Sequence, residues 1–150
     1  MKTLLTKLTG ILAMLALTSA LALAKPGWTE DYEKALVQAK AEKKLVLLDF
    51  TGSEWCGWCI KLDKEVFSQP EFAEYGKKNL ILVELDFTSN GEPKSKEFGK
   101  LHGKILKESN IQGYPTIIVL NSEGKKVGEL GYQPGGPKAF IAALEKLKGK

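Results

Sequence analysis

The chain has 150 residues with 22 basic and 18 acidic side chains, which gives a formal net charge of +4. All of the basic residues are lysines, so the chain lacks the forked guanidinium donors that bind phosphate bidentately. This modest charge argues against nucleic-acid binding. Two cysteines and one histidine are also too few ligands for a closed zinc site, so no metal is expected.

The first predicted element is a secretory signal peptide at residues 1–24. Lys2 and Lys7 precede an apolar run, and small residues lead to Ala24. A charged start, an apolar centre and an A-x-A end are typical of a cleaved export signal. The apolar run is shorter than the roughly 20 residues of a membrane span. Cleavage after Ala24 predicts an exported domain at 25–150, located in the periplasm and without a membrane anchor.

The rest of the chain alternates helical and strand patterns in the order α-β-α-β-α-β-β-α. Apolar periodicity, capping residues and turn residues set the boundaries. The predicted elements are a helix at 28–44 with Thr29 as a possible cap, a strand at 45–50, a helix at 56–67 with a shorter piece continuing to 75, a strand at 80–86, a loop at 90–93, a helix at 94–109, strands at 116–120 and 125–130, and a helix from 137 to 147.

Two of these strands are predicted to form the centre of a parallel unit. The run from Leu45 to Phe50 is apolar except for Asp49, which is typical of a buried strand. A helix separates it from the apolar strand 80–86, as a parallel βαβ connection requires. The last two strands are separated by turn residues at 121–124 and form a hairpin.

The segment Trp55-Cys56-Gly57-Trp58-Cys59 contains both cysteines of the chain. In an exported protein, a disulfide between them would persist and could serve as a structural staple. A disulfide closing so short a loop constrains the unfolded chain only weakly, however. The spacing therefore favours a redox-active pair over a structural one.

Four segments resemble the thioredoxin-fold superfamily, in particular its small exported members. They are Leu48-Asp49-Phe50, the Trp-Cys-Gly-x-Cys motif, Gly113-Tyr114-Pro115-Thr116 and Gly131. The resemblance covers nearly all of residues 28–147. It implies an α/β three-layer sandwich with a central mixed sheet of about four strands and helices on both faces. It also implies a cofactor-free thiol-disulfide oxidoreductase, a cis bond before the proline, and a glycine beside the active site.

The motif predicts separate roles for its two thiols. Cys56 should lie at a helix start, where free N–H groups and the helix dipole stabilise a thiolate, so it is the predicted nucleophile. Cys59 should lie one turn inside the helix, less exposed, as the resolving thiol.

Asp49 is the predicted proton acceptor for Cys59, since burial raises the pKa of a carboxyl group. The alternative is a solvated strand-end residue. Asp49 precedes Cys56 by seven residues, one more than in ordinary thioredoxins.

A substrate-binding surface is predicted from Trp55, Gly57, Trp58, Tyr114 and Pro115. Aromatic rings beside an exposed thiol offer apolar contact to a polypeptide, and extended backbone near the proline can pair with it. The alternative is that these aromatic residues, Trp55 in particular, belong to the core.

The direction of the reaction is predicted to be reducing. Gly57-Trp58 offers no cation to stabilise the Cys56 thiolate, and Glu54 would disfavour it. Expected partners are proteins with disulfides or thiols and an upstream thiol-disulfide electron donor, with the chain acting as a monomer. The alternatives are an isomerase or oxidase of the same fold, and a chaperone or binding module whose disulfide stays closed.

Three further features have less specific interpretations. His102 shares a helical stripe with Leu101 and Ile105, so a packing role at the core boundary is preferred over catalysis. The lysine-rich stretches 40–44 and 94–107 are expected to face solvent. The segment 87–112 is longer than its counterpart in a minimal thioredoxin and is a candidate for partner specificity.

Overall fold

The computed structural model describes residues 25–149. The predicted signal peptide at 1–24 lies outside the described residues. Within residues 25–149, no helix combines the length and apolar character needed to cross a membrane.

Five strands and five helices make up the described chain. The strands are β1 (Trp28–Thr29), β2 (Leu45–Thr51), β3 (Leu80–Asp86), β4 (Thr116–Leu120) and β5 (Lys126–Leu130). The helices are α1 (Tyr32–Glu42), α2 (Gly57–Leu62), α3 (Pro70–Asn79), α4 (Gly99–Glu108) and α5 (Gly136–Glu145), and a π-helical turn at Asp63–Phe67 extends α2. The predicted central strands and the hairpin are confirmed to within a residue.

The strands form one mixed sheet in the order β1-β3-β2-β4-β5. β1, β3 and β2 run parallel, whereas β4 pairs antiparallel with both β2 and β5. Alternate residues of β2 point to opposite faces: Leu47 packs in a core with α3 and α5, and Leu48 packs in a core with α1 and α4. Helices cover both faces of the sheet, so the predicted three-layer sandwich is confirmed.

The sheet has five strands rather than the expected four because the start of the first predicted helix is a strand. Trp28 pairs with Leu82 at the sheet edge and is buried in the core. Asp31, not Thr29, caps α1 by accepting a hydrogen bond from the Lys34 N–H. Long-range pairing of Trp28 therefore overrides the local helical pattern at this end.

Two other helix boundaries were wrong. The helix predicted to start at Lys94 begins at Gly99, because the Lys94 N–H donates to the Asp86 carbonyl and is held outside any helix. The helical piece predicted to stop at Tyr75 runs on to Asn79, whose side chain donates to the Tyr75 carbonyl and occupies one of the free acceptors at the helix end.

Candidate active site

The two cysteines lie where the chain leaves the sheet and enters α2. After β2, the chain turns at Gly52, whose carbonyl accepts hydrogen bonds from the N–H groups of Trp55 and Cys56. Cys56 is the N-cap residue of α2, and its Sγ accepts a hydrogen bond from the Cys59 N–H at 3.2 Å. A disulfide joins Cys56 to Cys59. The predicted helix start is therefore confirmed, with Cys56 at its cap.

Both cysteines are mostly buried in this disulfide form. Cys56 retains 7% of its surface and Cys59 retains 4%. As predicted, Cys56 is more exposed than Cys59, but the difference between their exposed fractions is small. A hydrogen bond to sulfur and the unpaired N–H groups of the helix start both favour a thiolate at Cys56 over one at Cys59 once the disulfide is reduced.

Asp49 is buried beneath the cysteines on the α2 side of the sheet. It shares a cavity of about 180 Å³ with Cys59, and its Oδ1 is buried without a hydrogen-bond partner in the described structure. Burial, reinforced by the negative charge of Glu84, raises the pKa of Asp49 to about 8. The alternative of a solvated strand-end carboxylate is therefore wrong, since Asp49 is only 5% exposed.

Three charged residues that the sequence did not single out surround Asp49. Glu84 is its partner in the parallel register of β2 and β3, and therefore points to the same face. Lys25 and Asp63 pair with each other and line the same cavity. The positive charge of Lys25 lowers the pKa of Asp49, whereas Glu84 raises it. The register of β2 against β3, which the sequence pattern did not fix, places Glu84 beside Asp49.

The loop before β4 lies beside the cysteine motif. The peptide bond between Tyr114 and Pro115 is cis, as the resemblance implies. The Tyr114 ring contacts the Trp55 indole edge-on, with 5.6 Å between centroids. A Cβ at Gly131 would come within 3.8 Å of the Pro115 carbonyl oxygen, so this glycine is next to the proline, as expected.

The two tryptophans of the motif are exposed, although each is anchored at one edge. Trp55 is 42% exposed and Trp58 is 56% exposed, so the core interpretation is wrong for both. The Trp55 indole N–H donates to the Phe87 carbonyl at 2.8 Å. Trp58 packs against Tyr132, and the Lys61 ammonium lies over both rings. The surface beside the disulfide is therefore aromatic, and Tyr132 and Lys61 extend it beyond the predicted residues.

His102 is remote from this surface. It is fully buried rather than at the core boundary, and its Nε2 lies 2.8 Å from the Glu30 carbonyl oxygen. It fastens α4 to the segment before α1, which is a structural role. Across residues 25–149, no group of three or more histidine, cysteine or acidic side chains is arranged to hold a metal ion.

Comparison with known proteins gives consistent matches. The sequence model of a thioredoxin-like domain matches residues 32–148. The disulfide bond reductase DsbH of Chlamydia pneumoniae is 30% identical over 128 residues, which cover 85% of this chain and 76% of that protein. A solved structure of a DsbH oxidoreductase superposes with a TM-score of 0.72 at 26% identity, covering 85% of this chain and 91% of that one.

A second relative matches over a smaller part of its length. The thioredoxin-related protein DsbJ of Chlamydia pneumoniae is 28% identical over 104 residues, which are 69% of this chain. The same match spans 30% of DsbJ. The similarity to that protein therefore concerns one portion of it.

Proposed function

Because the chain belongs to the thioredoxin-like domain family and is a thiol-disulfide oxidoreductase, we propose that it reduces disulfide bonds in exported proteins. The observation that carries the proposal is the shared cavity beneath the disulfide. Cys59 and the unpartnered carboxyl group of Asp49 line the same cavity. The Cys59 thiol therefore has a candidate proton acceptor, Asp49, in the same cavity.

The proposed reaction starts from the reduced protein. The Cys56 thiolate attacks one sulfur of a client disulfide, forming a mixed disulfide and releasing a client thiolate. Cys59 gives its proton to Asp49 and attacks the Sγ of Cys56. This step forms the Cys56–Cys59 disulfide and releases the second client sulfur as a thiolate. Two electrons have then passed to the client, and an upstream dithiol must reduce the disulfide for another cycle.

A reducing direction is supported by the surroundings of Cys56. Strongly oxidising members of this class depress the pKa of the nucleophile far below that of an ordinary thiol. The residues between the cysteines, Gly57 and Trp58, add no positive charge. Lys61, the nearest cation along α2, lies over the rings of Trp58 and Tyr132. The DsbH relative is itself named a disulfide bond reductase.

The client is proposed to bind across the aromatic surface. Trp55 precedes Cys56, Trp58 lies between the two cysteines, and both rings are exposed. Tyr114, the residue before Pro115, contacts the Trp55 ring from the β4 side. Gly57 presents no side chain, and a Cβ there would meet no atom within 4 Å. An extended polypeptide would therefore approach the part of Cys56 that stays exposed, 7% of its surface, with apolar contact from the neighbouring exposed rings.

Export is proposed from residues 1–24, with cleavage after Ala24 and action in the periplasm as a monomer. The mature protein would begin at Lys25, which lines the cavity with Asp49. The mass of the protein recovered from the periplasmic fraction, together with its sedimentation, tests all three points. An uncleaved chain in the cytoplasm would contradict the proposal.

Insulin reduction tests the enzymatic assignment. We expect the wild type to precipitate insulin chains in the presence of a dithiol, and Cys56→Ser to abolish turnover. Cys59→Ser should accumulate mixed disulfides with clients, because the resolving step is missing. Equal protection of an aggregating client by wild type and Cys56→Ser, without reduction by either, would instead support the chaperone alternative.

A redox titration against glutathione tests the direction. We expect a midpoint near that of thioredoxin, about −270 mV. A midpoint of about −120 mV, the value of a strong periplasmic oxidant, would contradict the reductase proposal. It would leave the oxidoreductase assignment intact.

A further inference from the structure

The loop that precedes the nucleophile is fastened by a lysine from a distant part of the chain. Lys94 Nζ lies 2.9 Å from a Glu54 carboxylate oxygen and 2.7 Å from Asp86 Oδ2. It also donates to Ser53 Oγ at 3.1 Å. The expectation that the stretch 94–107 faces solvent is therefore wrong at Lys94, whose side chain is only 26% exposed.

The loop and the end of β3 are joined by hydrogen bonds as well as by charge. The Ser53 N–H donates to Asp86 Oδ1 at 2.9 Å, and the Ser53 hydroxyl donates to Oδ2 at 2.6 Å. Ser53 and Glu54 lie in the connection between β2 and α2, and Lys94 lies in the connection between β3 and α4. The contact therefore joins two connecting segments at the same edge of the sheet.

We propose that Lys94 is a positioning residue for the nucleophile. It holds the Ser53–Glu54 loop against Asp86 and offsets the negative charges of Glu54 and Asp86, so that the Cys56 thiolate forms more readily. The inference rests on the proposed reductase function. Glu54 lies two residues before Cys56, and an unpaired carboxylate there would oppose a second anion. Glu54 by itself opposes the thiolate, as expected, and Lys94, which pairs with it, offsets that effect.

The variants leave the other charged and titratable groups around the motif unaltered. These groups are Asp49 on β2, Glu84 on β3, Asp63 and Lys61 on the α2 side, Lys25 before β1, and the hydroxyl groups of Tyr114 and Tyr132. The variants alter the charge of Lys94 and of Glu54 alone. When Lys94, Glu54 and Asp86 are all ionised, their net charge is −1, from one lysine and two carboxylates.

Three variants give an ordered expectation. Lys94→Gln makes this charge −2, Glu54→Gln makes it zero, and the double variant restores −1. We expect the pKa of the Cys56 thiol to be highest in Lys94→Gln and lowest in Glu54→Gln. The wild type and the double variant should lie together between them. Glu54 is 75% exposed, so solvent screening limits each step to about half a pKa unit.

The measurement is the pH dependence of Cys56 alkylation by iodoacetamide in the reduced proteins, with the thiolate absorbance as a second readout. Lys96→Gln is the matched control, since it removes an exposed lysine from the same segment. A purely structural contact would lower thermal stability without ordering the three pKa values.

An unchanged pKa in Lys94→Gln, an equal shift in Lys96→Gln, or a double variant that stays with Lys94→Gln would each overturn the inference. Insulin reduction by the wild type is measured in parallel. Its absence would overturn the proposed function, whereas normal reduction with unordered pKa values would overturn only the role of Lys94.

Discussion

At the scale of single residues, Asp49 combines a large free-energy cost of ionising its carboxyl group with a position beside Cys59. Its carboxyl group is buried, its Oδ1 lacks a partner in the described structure, and Glu84 on the next strand repels its charge. Groups whose pKa is shifted by burial and a charged neighbour are concentrated at functional sites. This combination supports a proton-transfer role over a structural one.

Replacing Asp49 by asparagine should slow the resolving step. Asp49 must be deprotonated to accept the Cys59 proton, so the wild-type rate should rise with pH until about 8, its pKa, and then level off. In Asp49→Asn we expect this inflection to disappear and the rate to fall by about 100-fold, the lower end of the usual contribution of general acid–base catalysis. Stopped-flow decay of a preformed mixed disulfide measures the step.

Alkylation of Cys56 serves as the internal control for Asp49→Asn, because it reports on the attacking thiol alone. If Asp49→Asn retained the wild-type rate and the same pH inflection for mixed-disulfide decay, another group would have to be the proton acceptor.

At the scale of elements, the glycines of α4 and β5 show how local propensity and packing oppose each other. Gly103 lies inside α4, where glycine is unfavourable. A Cβ there would meet only Pro93 Cγ at 3.6 Å, an ordinary contact. A Cβ on Gly128 of β5 would instead lie 2.5 Å from Leu147 Cδ1. Leu147 is buried beyond the end of α5 and must move to make room.

The two alanine substitutions should therefore have opposite effects. We expect Gly103→Ala to raise the free energy of unfolding by about 0.5 to 1 kcal/mol through helix propensity. Gly128→Ala should lower it by about 1 to 3 kcal/mol through overpacking. Urea denaturation measures both, and each variant is the control for the other. Destabilisation by Gly103→Ala would show that the glycine meets a requirement beyond the Pro93 contact.

At the scale of the whole molecule, the site reduces the stability of the fold. Asp49 lies on a central strand with a core on each face of the sheet. The free-energy cost of ionising its carboxyl group therefore lowers the free energy of global unfolding. The pKa of Asp49 is raised in the folded state, and the folded protein therefore binds more protons than the unfolded one between about pH 4 and 8. Linkage then requires stability to fall as pH rises through this range.

The size of this effect follows from the shift, from 3.8 to about 8. We expect Asp49 to remove on the order of 5 kcal/mol of stability between pH 4 and pH 8. Glu84, whose pKa is also raised by burial, acts in the same direction. Asp49→Asn should be more stable than the wild type at pH 8 and should show a flatter profile. Urea unfolding at several pH values measures this, and parallel profiles for the two proteins would contradict the prediction.

Several parts of this protein could be predicted from short spacings along the chain. The apolar runs of β2 and β3 predicted the central strands because their composition requires burial. The spacing of Cys56 and Cys59 predicted a redox pair because so short a loop makes a weak staple. Four short segments, among them those that contain Pro115 and Gly131, carried the family resemblance. Each of these signals lies within a few neighbouring residues.

The charged residues around the site could not be predicted from any local pattern, because the fold brings them together. Lys25 and Glu84 reach Asp49, and Lys94 reaches Glu54, from positions tens of residues away along the chain. All 22 basic residues are lysines, and nothing local distinguishes Lys94 from Lys96. Strand register and loop closure bring distant charges together. The interaction energy of these charges depends on the resulting distances and burial rather than on sequence pattern.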